Sequence, residues 1–594
     1  MTTVEKLAAL RECMKREGVD AYIILTSDAH VTEYLPDYWQ CRKWISGFTG
    51  SAGAMVVTES EAHLWIDGRY WISGEEELRG TTINMQKMGS DGVLPLQEWV
   101  KDNLKENAVV GVDGRTMPVE LYRNYQKEFK KKKLKTRLDL DLVGEIWKDR
   151  PAFPKGKAFE HDIKFAGKTR PEKLAAVRER MVKEGADYYL VSPLDGNAWL
   201  FNYRGTDTPG MPTIYAYAFI SKTEAILFAD DSKLVDIKAN LIKDGIIIKN
   251  YDEIFDFLKN FKDKGNLFID TNKLCAGILD NVPENLTIFE GADIVAWLKS
   301  QKNPVEIENL KKCHARECSA VTKFIKWVKE AVKSQDIYET DVQGKLDELR
   351  KDLENYMKAS FPTIAAYMEN GAQMHYRPEE GKCAKLKPEG FLLVDTGGLY
   401  YDGTTDITRT FVLGNINDEM KRDFTLTLKS HIGLSMAKFL YGATGPCLDV
   451  LARKPMWDVG MDFKSGTGHG VGYALNVHES PPGIRYNPTP AGLVKLEEGM
   501  TITNEPGVYK EGKWGVRTEN TILVVKEFTN TDGTFMRFDT ISFCPIDLKA
   551  VDKSLLSDCE VKWLNDYHAE TYKVLSPFMN DEEKAWLKEE TRAI

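Results

Sequence analysis

Residues 391–411 read FLLVDTGGLYYDGTTDITRTF, an apolar strand followed by a glycine-rich turn and a second strand. Asp395 and Asp406 lie eleven residues apart, so a turn centred near Tyr400 and Tyr401 predicts that they face each other across an antiparallel hairpin. Opposed residues on one face of a hairpin have Cβ atoms ~5 Å apart, which suits the binding of one cation or of two adjacent ones. Because two bare carboxylates at that distance repel each other, the stretch predicts bound positive charge.

A second stretch, residues 501–524, repeats this arrangement in the sequence TITNEPGVYKEGKWGVRTENTILV. Glu505 and Glu519 lie fourteen residues apart around a turn centred near Gly512, so they are also expected to pair across a hairpin and to point the same way. Between the two hairpins, the segment GTGHGVG presents His469 among glycines, which let backbone and ligands approach closely.

The two hairpins and the glycine-rich segment together predict a metal site of four carboxylates and one imidazole: Asp395, Asp406, His469, Glu505 and Glu519. One aspartate beside a hairpin glycine is more typical of a turn than of a ligand, but five such residues in two repeated hairpins favour a metal site. Oxygen donors with a single nitrogen suit manganese, cobalt or zinc better than copper. Four carboxylates balance two divalent ions, and a water bridging such ions loses a proton readily and becomes a nucleophile at neutral pH.

Several ordered segments carry a resemblance to a known family: VDTG, TDITRTF, GTGHGVG, NVHE, NEPG and RTEN. They resemble the pita-bread metallopeptidases, and within that family the large three-domain aminopeptidase P group. The N-terminal segments SDAHVTEYL, WISGFTGSAG and DGRY resemble the same group, so the resemblance covers essentially the whole chain. It implies an α+β protein with a C-terminal pita-bread catalytic domain preceded by two homologous α/β domains of the creatinase/prolidase N-terminal type.

The activity that the resemblance implies is hydrolysis of the N-terminal Xaa-Pro bond of peptides with proline at position 2. The expected nucleophile is a hydroxide that bridges two divalent metal ions, with Mn²⁺ as the family expectation and Co²⁺ or Zn²⁺ as alternatives. The resemblance also implies a homodimer. Two other functions stay open: a prolidase-like Xaa-Pro dipeptidase, and a peptide-binding pita-bread module without catalysis. The duplicated N-terminal unit argues against the first, and the complete ligand set argues against the second.

Four residues are expected to serve catalysis beside the metals. In isolation His375 and His478 are more typical of structural histidines, but the matching family residues contact substrate. His375 is expected near the leaving nitrogen, and His478 is expected to donate to the developing oxyanion, where hydrogen bonds matter most. Glu505 is expected to bind metal and also to pass a proton to the leaving amine. Arg517, two residues before Glu519 on a strand, shares its face and is expected to orient a carboxylate.

Three further polar residues can be assessed from the sequence, one beside a motif and two in helical patterns. Many members of the aminopeptidase P group carry a histidine four residues before the metal histidine, and this chain has Ser465 there. That difference concerns the strictness of the proline preference rather than the metal chemistry. His431 and His314 occur in helical patterns and are predicted to be packing or surface residues.

An internal repeat precedes the metal-site region. The sequence KLAALRECMKREGVD at 6–20 recurs as KLAAVRERMVKEGAD at 173–187, with an apolar stripe that buries one helix face in each copy. The sequence NPVE at 303–306 marks the start of a long helix that is predicted to reach about Lys333. The predicted domains are therefore 1–155, 156–302 and 303–594. The last one ends in an aromatic helical extension that is expected to pack on its own domain or on a partner subunit.

Composition limits the remaining function classes. The net charge of −10 argues against a nucleic-acid partner, because phosphate binding needs clustered excess Lys and Arg. The nine cysteines are scattered and odd in number, without a CxxC pair, which is typical of a reducing compartment. The N-terminal segment is an amphipathic charged helix and no stretch is apolar enough to span a membrane. The sequence therefore predicts a cytoplasmic protein without a membrane partner.

Overall fold

A computed structural model describes the backbone of residues 1–594 and every side chain except those of Arg69 and Ile72. The chain divides into two compact units, one formed by 1–160 with 168–295 and the other by 161–167 with 296–594. The first unit contains two α/β domains, and the second contains both carboxylate hairpins.

A mixed six-stranded sheet organises the N-terminal domain. The helices are α1 (Thr3–Glu17), α2 (Cys41–Ser46), α3 (Trp71–Glu77), α4 (Leu96–Asn103), α5 (Val119–Lys130) and α6 (Leu142–Ile146). The strands are β1 (Ala21–Leu25), β2 (Ala54–Thr58), β3 (Ala62–Ile66), β4 (Asn84–Lys87), β5 (Val109–Val112) and β6 (Lys135–Arg137). The strand order is β4-β3-β2-β1-β5-β6; β2 is antiparallel to β1 and β3, and the other neighbouring pairs are parallel.

The second α/β domain repeats this sheet. The next helices along the chain are α7 (Ile163–Ala166), α8 (Arg170–Glu184), α9 (Leu194–Leu200), α10 (Lys238–Lys243), α11 (Glu253–Lys259), α12 (Ala276–Leu279) and α13 (Ile294–Ser300). The strands are β7 (Phe159–Glu160), β8 (Tyr188–Val191), β9 (Tyr203–Arg204), β10 (Tyr217–Ser221), β11 (Ala225–Phe228), β12 (Ile246–Lys249), β13 (Gly265–Ile269) and β14 (Leu286–Glu290). The order β12-β11-β10-β8-β13-β14 has the same directions as in the first sheet, which confirms the predicted duplication.

The repeated helices α1 and α8 are built alike from end to end. Thr2 and Thr169 each accept a hydrogen bond from the third helical N–H, and the glutamate there reciprocates in a capping box. Each helix ends at a glycine in the left-handed region, Gly18 with φ 65° and Gly185 with φ 72°. Local sequence alone therefore determines where both helices start and stop.

The C-terminal region begins with a long helix. Asn303 accepts hydrogen bonds from the N–H groups of Val305 and Glu306, with Pro304 in the first turn, as predicted. The helices of the C-terminal region are α14 (Pro304–Ala331), α15 (Glu339–Arg350), α16 (Asp418–Ser435), α17 (Gly445–Trp457), α18 (Asp558–Leu575) and α19 (Asp581–Glu590). A helix that crosses a bilayer needs about 20 mostly apolar residues, and no helix among the described residues meets that requirement.

Four small sheets make up the β-structure around the two hairpins. The strands are β15 (Tyr356–Ala359), β16 (Ile364–Tyr367), β17 (Phe391–Thr396), β18 (Gly398–Tyr400), β19 (Gly403–Thr404), β20 (Ile407–Val412), β21 (Lys438–Leu440), β22 (Gly468–Gly470), β23 (Glu479–Ile484), β24 (Thr501–Asn504), β25 (Gly507–Lys510), β26 (Trp514–Arg517), β27 (Asn520–Asn530) and β28 (Gly533–Thr540). They form sheets β15-β18-β19, β16-β17-β20, β21-β28-β27-β24-β22-β23 and β25-β26.

The aromatic C-terminal extension packs on its own unit. On α18, Leu564 and Tyr567 join a core cluster with Phe424 of α16. Leu575 and Leu587 join a second cluster with core residues of α14. Of the two surfaces considered from the sequence, the structure therefore assigns the extension to its own domain.

Candidate metal centre

The first hairpin brings its two aspartates to one face by a diagonal rather than a direct pairing. Asp395 lies opposite Thr408, and Tyr400 lies opposite Gly403, so the turn centres one residue later than predicted. Asp406 precedes β20 and is offset by two positions from the residue opposite Asp395. Because side chains of a strand repeat their direction every two residues, this shift keeps Asp406 on the face of Thr408.

The second hairpin has the predicted register. Gly507 pairs with Arg517 around the turn at Gly512, and Asn504 pairs with Asn520 beyond it. Glu505 and Glu519 occupy opposed positions between these two pairs.

Glu505 and Glu519 do not hydrogen-bond to each other through their backbones; their N–H groups bind other segments instead. The Glu505 N–H donates to the Thr467 carbonyl at 2.8 Å, and the Glu519 N–H donates to the Thr408 carbonyl at 3.1 Å. Backbone hydrogen bonds thus attach the second hairpin to the first hairpin and to the segment that carries His469.

The five predicted side chains form one cluster. Asp406, His469 and Glu519 each offer a ligand atom within 4.8 Å of the others. The Nε2 atom of His469 lies 3.4 Å from Asp406 Oδ2 and 3.6 Å from Glu505 Oε1. Asp395 is connected to Glu519 through hydrogen bonds of Arg517 and Thr408, and its charge raises the pKa of Asp406 and of Glu519.

The electrostatics of the cluster show a deficit of positive charge. Burial, together with the charges of Asp395 and Glu505, raises the pKa of Asp406 to about 6. Burial and the charges of Asp406, Asp395 and Glu505 raise the pKa of Glu519 well above its ordinary value. Burial lowers the pKa of His469, but Asp406 and Glu505 outweigh it and raise that pKa to about 9. Acids that retain protons at such values release them when a cation binds between them.

The donor set fits divalent cations. Asp395 Oδ1 is buried and has no hydrogen-bond partner among the described residues, although Oδ2 of the same carboxylate accepts from Arg517 at 2.5 Å. A buried carboxylate oxygen without a donor costs free energy unless something positive binds it. Carboxylates with one imidazole are ligands that Mn²⁺, Co²⁺ and Zn²⁺ accept.

The Thr408 hydroxyl joins the Glu519 carboxylate to Arg517, which in turn binds Asp395. Its Oγ1 donates to Glu519 Oε2 at 2.6 Å and accepts from Arg517 Nε at 3.0 Å. Arg517 also donates to the Tyr509 hydroxyl at 2.6 Å, and its side chain is buried. Burial lowers the pKa of Arg517, but the phenol and the surrounding acids outweigh it and raise it well above its ordinary value.

Thr503 plays the corresponding part beside Glu505. Its hydroxyl donates to Glu505 Oε1 at 3.1 Å and accepts from the His469 N–H at 3.0 Å. Sequence reasoning missed Thr408, Thr503 and Tyr509. The two threonines lie two residues from Asp406 and Glu505, so the alternation of strand side chains is the signal that points to them.

The two candidate catalytic histidines are both exposed. The rings of His478 and His469 meet edge to face with centroids 4.4 Å apart. Next to His478, the buried Glu479 carboxylate bonds to Lys302 and, at 2.5 Å, to Lys299. His375 follows a short helix, Met368–Ala372, that lies against β26, the strand that carries Arg517: a Cβ at Gly371 would lie 2.8 Å from the Gly515 nitrogen.

The other polar residues singled out from the sequence are buried. His431 and His314 are both within the protein core, so the surface alternative is wrong for each. The Ser465 hydroxyl is buried without a hydrogen-bond partner among the described residues, and its carbonyl accepts from Arg453 at 2.9 Å.

The chain matches known families along most of its length. Residues 308–526 match metallopeptidase family M24, and 534–594 match the C-terminal region of that peptidase. Residues 6–138 and 149–306 each match the creatinase/prolidase N-terminal domain.

Individual relatives are similar over nearly the whole of this chain. A probable Xaa-Pro aminopeptidase P of Coprinopsis cinerea is 37% identical, with 100% of this chain and 98% of that protein covered. Aminopeptidase P2 of Arabidopsis thaliana is also 37% identical, with 99% of this chain and 88% of that protein covered. The crystal structure of X-prolyl aminopeptidase from Caenorhabditis elegans, described as a cytosolic enzyme with a di-nuclear active site, superposes with a TM-score of 0.93 at 33% identity and covers 100% of both chains.

Proposed function

The chain belongs to metallopeptidase family M24, and on that basis we propose that it removes the N-terminal residue from peptides that have proline at position 2. The observation that carries the proposal is the cluster of Asp406, His469 and Glu519, with Asp395 and Glu505 beside it, in a chain similar over its whole length to Xaa-Pro aminopeptidases.

The substrate sets a particular chemical problem. The nitrogen of an Xaa-Pro bond has no hydrogen, its ring fixes φ, and cis and trans forms coexist. A site that recognises an amide N–H therefore gains nothing there. Cleavage needs a shape-selective pocket and a strong nucleophile.

We propose that Asp395, Asp406, His469, Glu505 and Glu519 would hold two divalent ions. Mn²⁺ is the proposed metal, and Co²⁺ and Zn²⁺ are alternatives that the same donors accept. When bound, the ions would lower the pKa of a water molecule. That water could then lose a proton at neutral pH and attack a peptide carbonyl as hydroxide.

The protein's own residues then transfer the protons and stabilise the negative charge that develops on the carbonyl oxygen. We propose that Glu505 takes the proton of the attacking water and delivers it to the proline nitrogen, with His375 close to that leaving group. His478 is proposed to donate to the carbonyl oxygen as it becomes negative. Arg517 keeps the Asp395 carboxylate in place through their hydrogen bond.

A peptide assay tests the proposal directly. The purified protein with Mn²⁺ should release free X from an X-Pro-Pro peptide, and Asp406→Ala or Glu519→Ala should lose both bound metal and turnover. Asp532→Ala, an exposed loop acid, is the matched control and should keep both. No release of X with any divalent metal would contradict the proposal.

Substrate length separates the proposed activity from that of a prolidase-like dipeptidase. The duplicated N-terminal unit favours the larger peptidase, so we expect cleavage of X-Pro-Pro as well as X-Pro. Cleavage confined to the dipeptide X-Pro would favour the dipeptidase instead.

We further propose that the protein is a homodimer. Large exposed apolar side chains gather on and around α17, including Leu440, Tyr441, Leu451, Trp457 and Leu493. Leu451→Glu combined with Trp457→Lys should give monomers in light scattering, whereas Val182→Glu, at an exposed valine of α8, should not. A monomeric wild-type protein would contradict the dimer.

Location and domain boundaries are also proposals. The similarity to a relative described as cytosolic, and nine cysteines that are all free, support a cytoplasmic location. Cell fractionation tests it. For the domains we keep the boundaries 1–155, 156–302 and 303–594, which limited proteolysis would test.

A further inference from the structure

One buried histidine connects the two strands that carry Glu505 and Glu519. On α16, the Nδ1 atom of His431 lies 3.0 Å from the Asn504 carbonyl oxygen, and its Nε2 lies 3.1 Å from the Asn520 side-chain amide nitrogen. A carbonyl oxygen only accepts, so Nδ1 carries the hydrogen and Nε2 accepts from the amide. Burial lowers the pKa of His431 to about 3, which keeps the ring neutral as this pattern requires.

The orientation of the Asn520 amide is fixed independently. Its Oδ1 accepts from Arg409 Nη2 at 2.8 Å, which turns its NH₂ group toward His431. Arg409 also donates to the backbone carbonyls of Glu519, at 2.5 Å, and Thr408, at 2.8 Å. The contacts of Asn504, Asn520 and Arg409 are therefore compatible with one arrangement, and the Thr518 carbonyl also interacts with the His431 ring.

The contact lies where the pairing between the two strands ends. Asn504 and Asn520 form the last cross-strand pair before the ladder breaks at Glu505 and Glu519. The Asn504 amide also donates to the His431 carbonyl at 2.8 Å and to Ser435 Oγ at 2.9 Å. One turn of α16 thus hydrogen-bonds to both Asn504 and Asn520.

We propose that His431 is a positioning residue of the metal centre, which sets the separation of Glu505 and Glu519 by hydrogen-bonding to the residue next to each. The proposal rests on the proposed metal-dependent function. A histidine suits this position because it is rigid and offers one donor and one acceptor on opposite sides of one ring. A hydrophobic residue of similar size would fill the space and leave the Asn504 carbonyl and the Asn520 amide without these partners.

Metal titration of the apoprotein tests the proposal without depending on turnover. His431→Phe should raise the Kd of at least one Mn²⁺ ion by 10-fold or more, the scale expected when a residue that orients metal ligands is lost. The electron paramagnetic resonance signal of coupled Mn²⁺ pairs should weaken, and kcat should fall more than KM rises. His431→Gln, which keeps a polar atom near the Nε2 position, should recover part of the affinity.

His314→Phe is the matched control, since His314 is also buried on a long helix but its Nδ1 bonds to Leu310 of the same helix. A purely structural role would lower the melting temperature of both phenylalanine variants and leave both metal affinities unchanged. A folded His431→Phe protein with wild-type Mn²⁺ affinity overturns the inference. If that variant does not fold, His431→Asn decides, because the shorter amide can replace Nδ1 but does not reach Asn520: weaker Mn²⁺ binding supports the inference and unchanged binding overturns it. Failure of the wild-type protein to bind two ions would instead contradict the proposed function.

Discussion

At the scale of single residues, Thr408 offers the sharpest test of how the ligands are oriented. Thr408→Val keeps the shape but removes the hydroxyl that donates to Glu519 and accepts from Arg517. We expect the Kd for metal to rise roughly 10- to 100-fold, as is common when a group that orients a ligand is lost.

The control for Thr408→Val lies two residues along the same strand. Thr410 is equally buried, but its hydroxyl bonds only to backbone atoms of Arg517. Thr410→Val should therefore keep metal affinity when both variants are titrated with Mn²⁺ in a calorimeter. Equal losses in both variants would show that strand packing, not the hydroxyl on Glu519, sets the affinity.

The charges of the ligand cluster predict how metal stabilises the protein at different pH values. The raised pKa of Asp406, about 6, makes the metal-free fold lose stability as pH rises through that value. The raised pKa of His469, about 9, adds stability that is complete below its unfolded pKa and is lost as pH rises through 9. The metal-free protein should therefore be less stable at pH 8.5 than at pH 6.

Bound metal should reverse this trend, because protons compete with the ions for the same carboxylates. The rise in melting temperature on adding Mn²⁺ to chelator-treated protein should be several degrees larger at pH 8.5 than at pH 6. Scanning fluorimetry with and without metal measures the difference. A rise that is larger at pH 6 would contradict this account of the site.

The sequence predicted that His469 meets Asp406, Glu505 and Glu519, because motifs mark all four residues. It did not predict that His431 bonds to the neighbours of Glu505 and Glu519. A helical pattern shows which face of a helix is buried but not which strand lies against that face. Thr408 was missed for a different reason. Threonine is common in strands, and only the observed register shows that its hydroxyl lies between Glu519 and Arg517.

At the scale of elements, turn chemistry decided how well each hairpin was predicted. The turn at Gly512 is unambiguous, and its register is as predicted. The other turn lies in GGLYYDGT. Glycines on both sides of Tyr400 and Tyr401 allow the centre of that turn to fall at more than one position. An error of one residue in the centre moves every cross-strand partner by two, which changes the pairing of Asp395 without changing its face.

The ends of the repeated helices give a prediction about stability. Gly185 adopts φ 72° and a Cβ there would meet nothing within 4 Å, so Gly185→Ala should cost only backbone strain, about 1 kcal/mol. Gly344 lies within α15, also with open space around it, so Gly344→Ala should stabilise by about 0.5–1 kcal/mol. Denaturant unfolding of each variant should therefore show opposite signs. The same sign in both would contradict the assigned backbone conformations.

At the scale of the whole molecule, the sequence predicted the family, the fold class and the duplicated domain, because local repeats and long motifs carry that information. Contacts between distant segments were out of reach. The aromatic pattern after Asp552 showed that a helical extension must bury one face, but not against what. The structure places it on its own unit, where α18 lies against α14 and α16.

This placement makes the C-terminal extension part of the support for the metal centre. Tyr567 on α18 accepts a hydrogen bond from Arg409 Nη2 at 2.7 Å and from the Cys544 N–H at 3.0 Å. Arg409 in turn donates to the Glu519 carbonyl. The hydroxyl of one residue in the extension is thus two hydrogen bonds away from a proposed ligand.

Tyr567→Phe should therefore do more than weaken the packing of a helix. Leaving a buried guanidinium and N–H short of an acceptor costs about 1–3 kcal/mol, so the melting temperature should fall by several degrees. Because Arg409 then holds Glu519 less firmly, metal affinity should fall as well. Tyr572→Phe, on the same helix but only half-buried, should change neither quantity. If Tyr567→Phe lowers the melting temperature and leaves metal affinity intact, the extension stabilises the fold without helping to position the metal ligands.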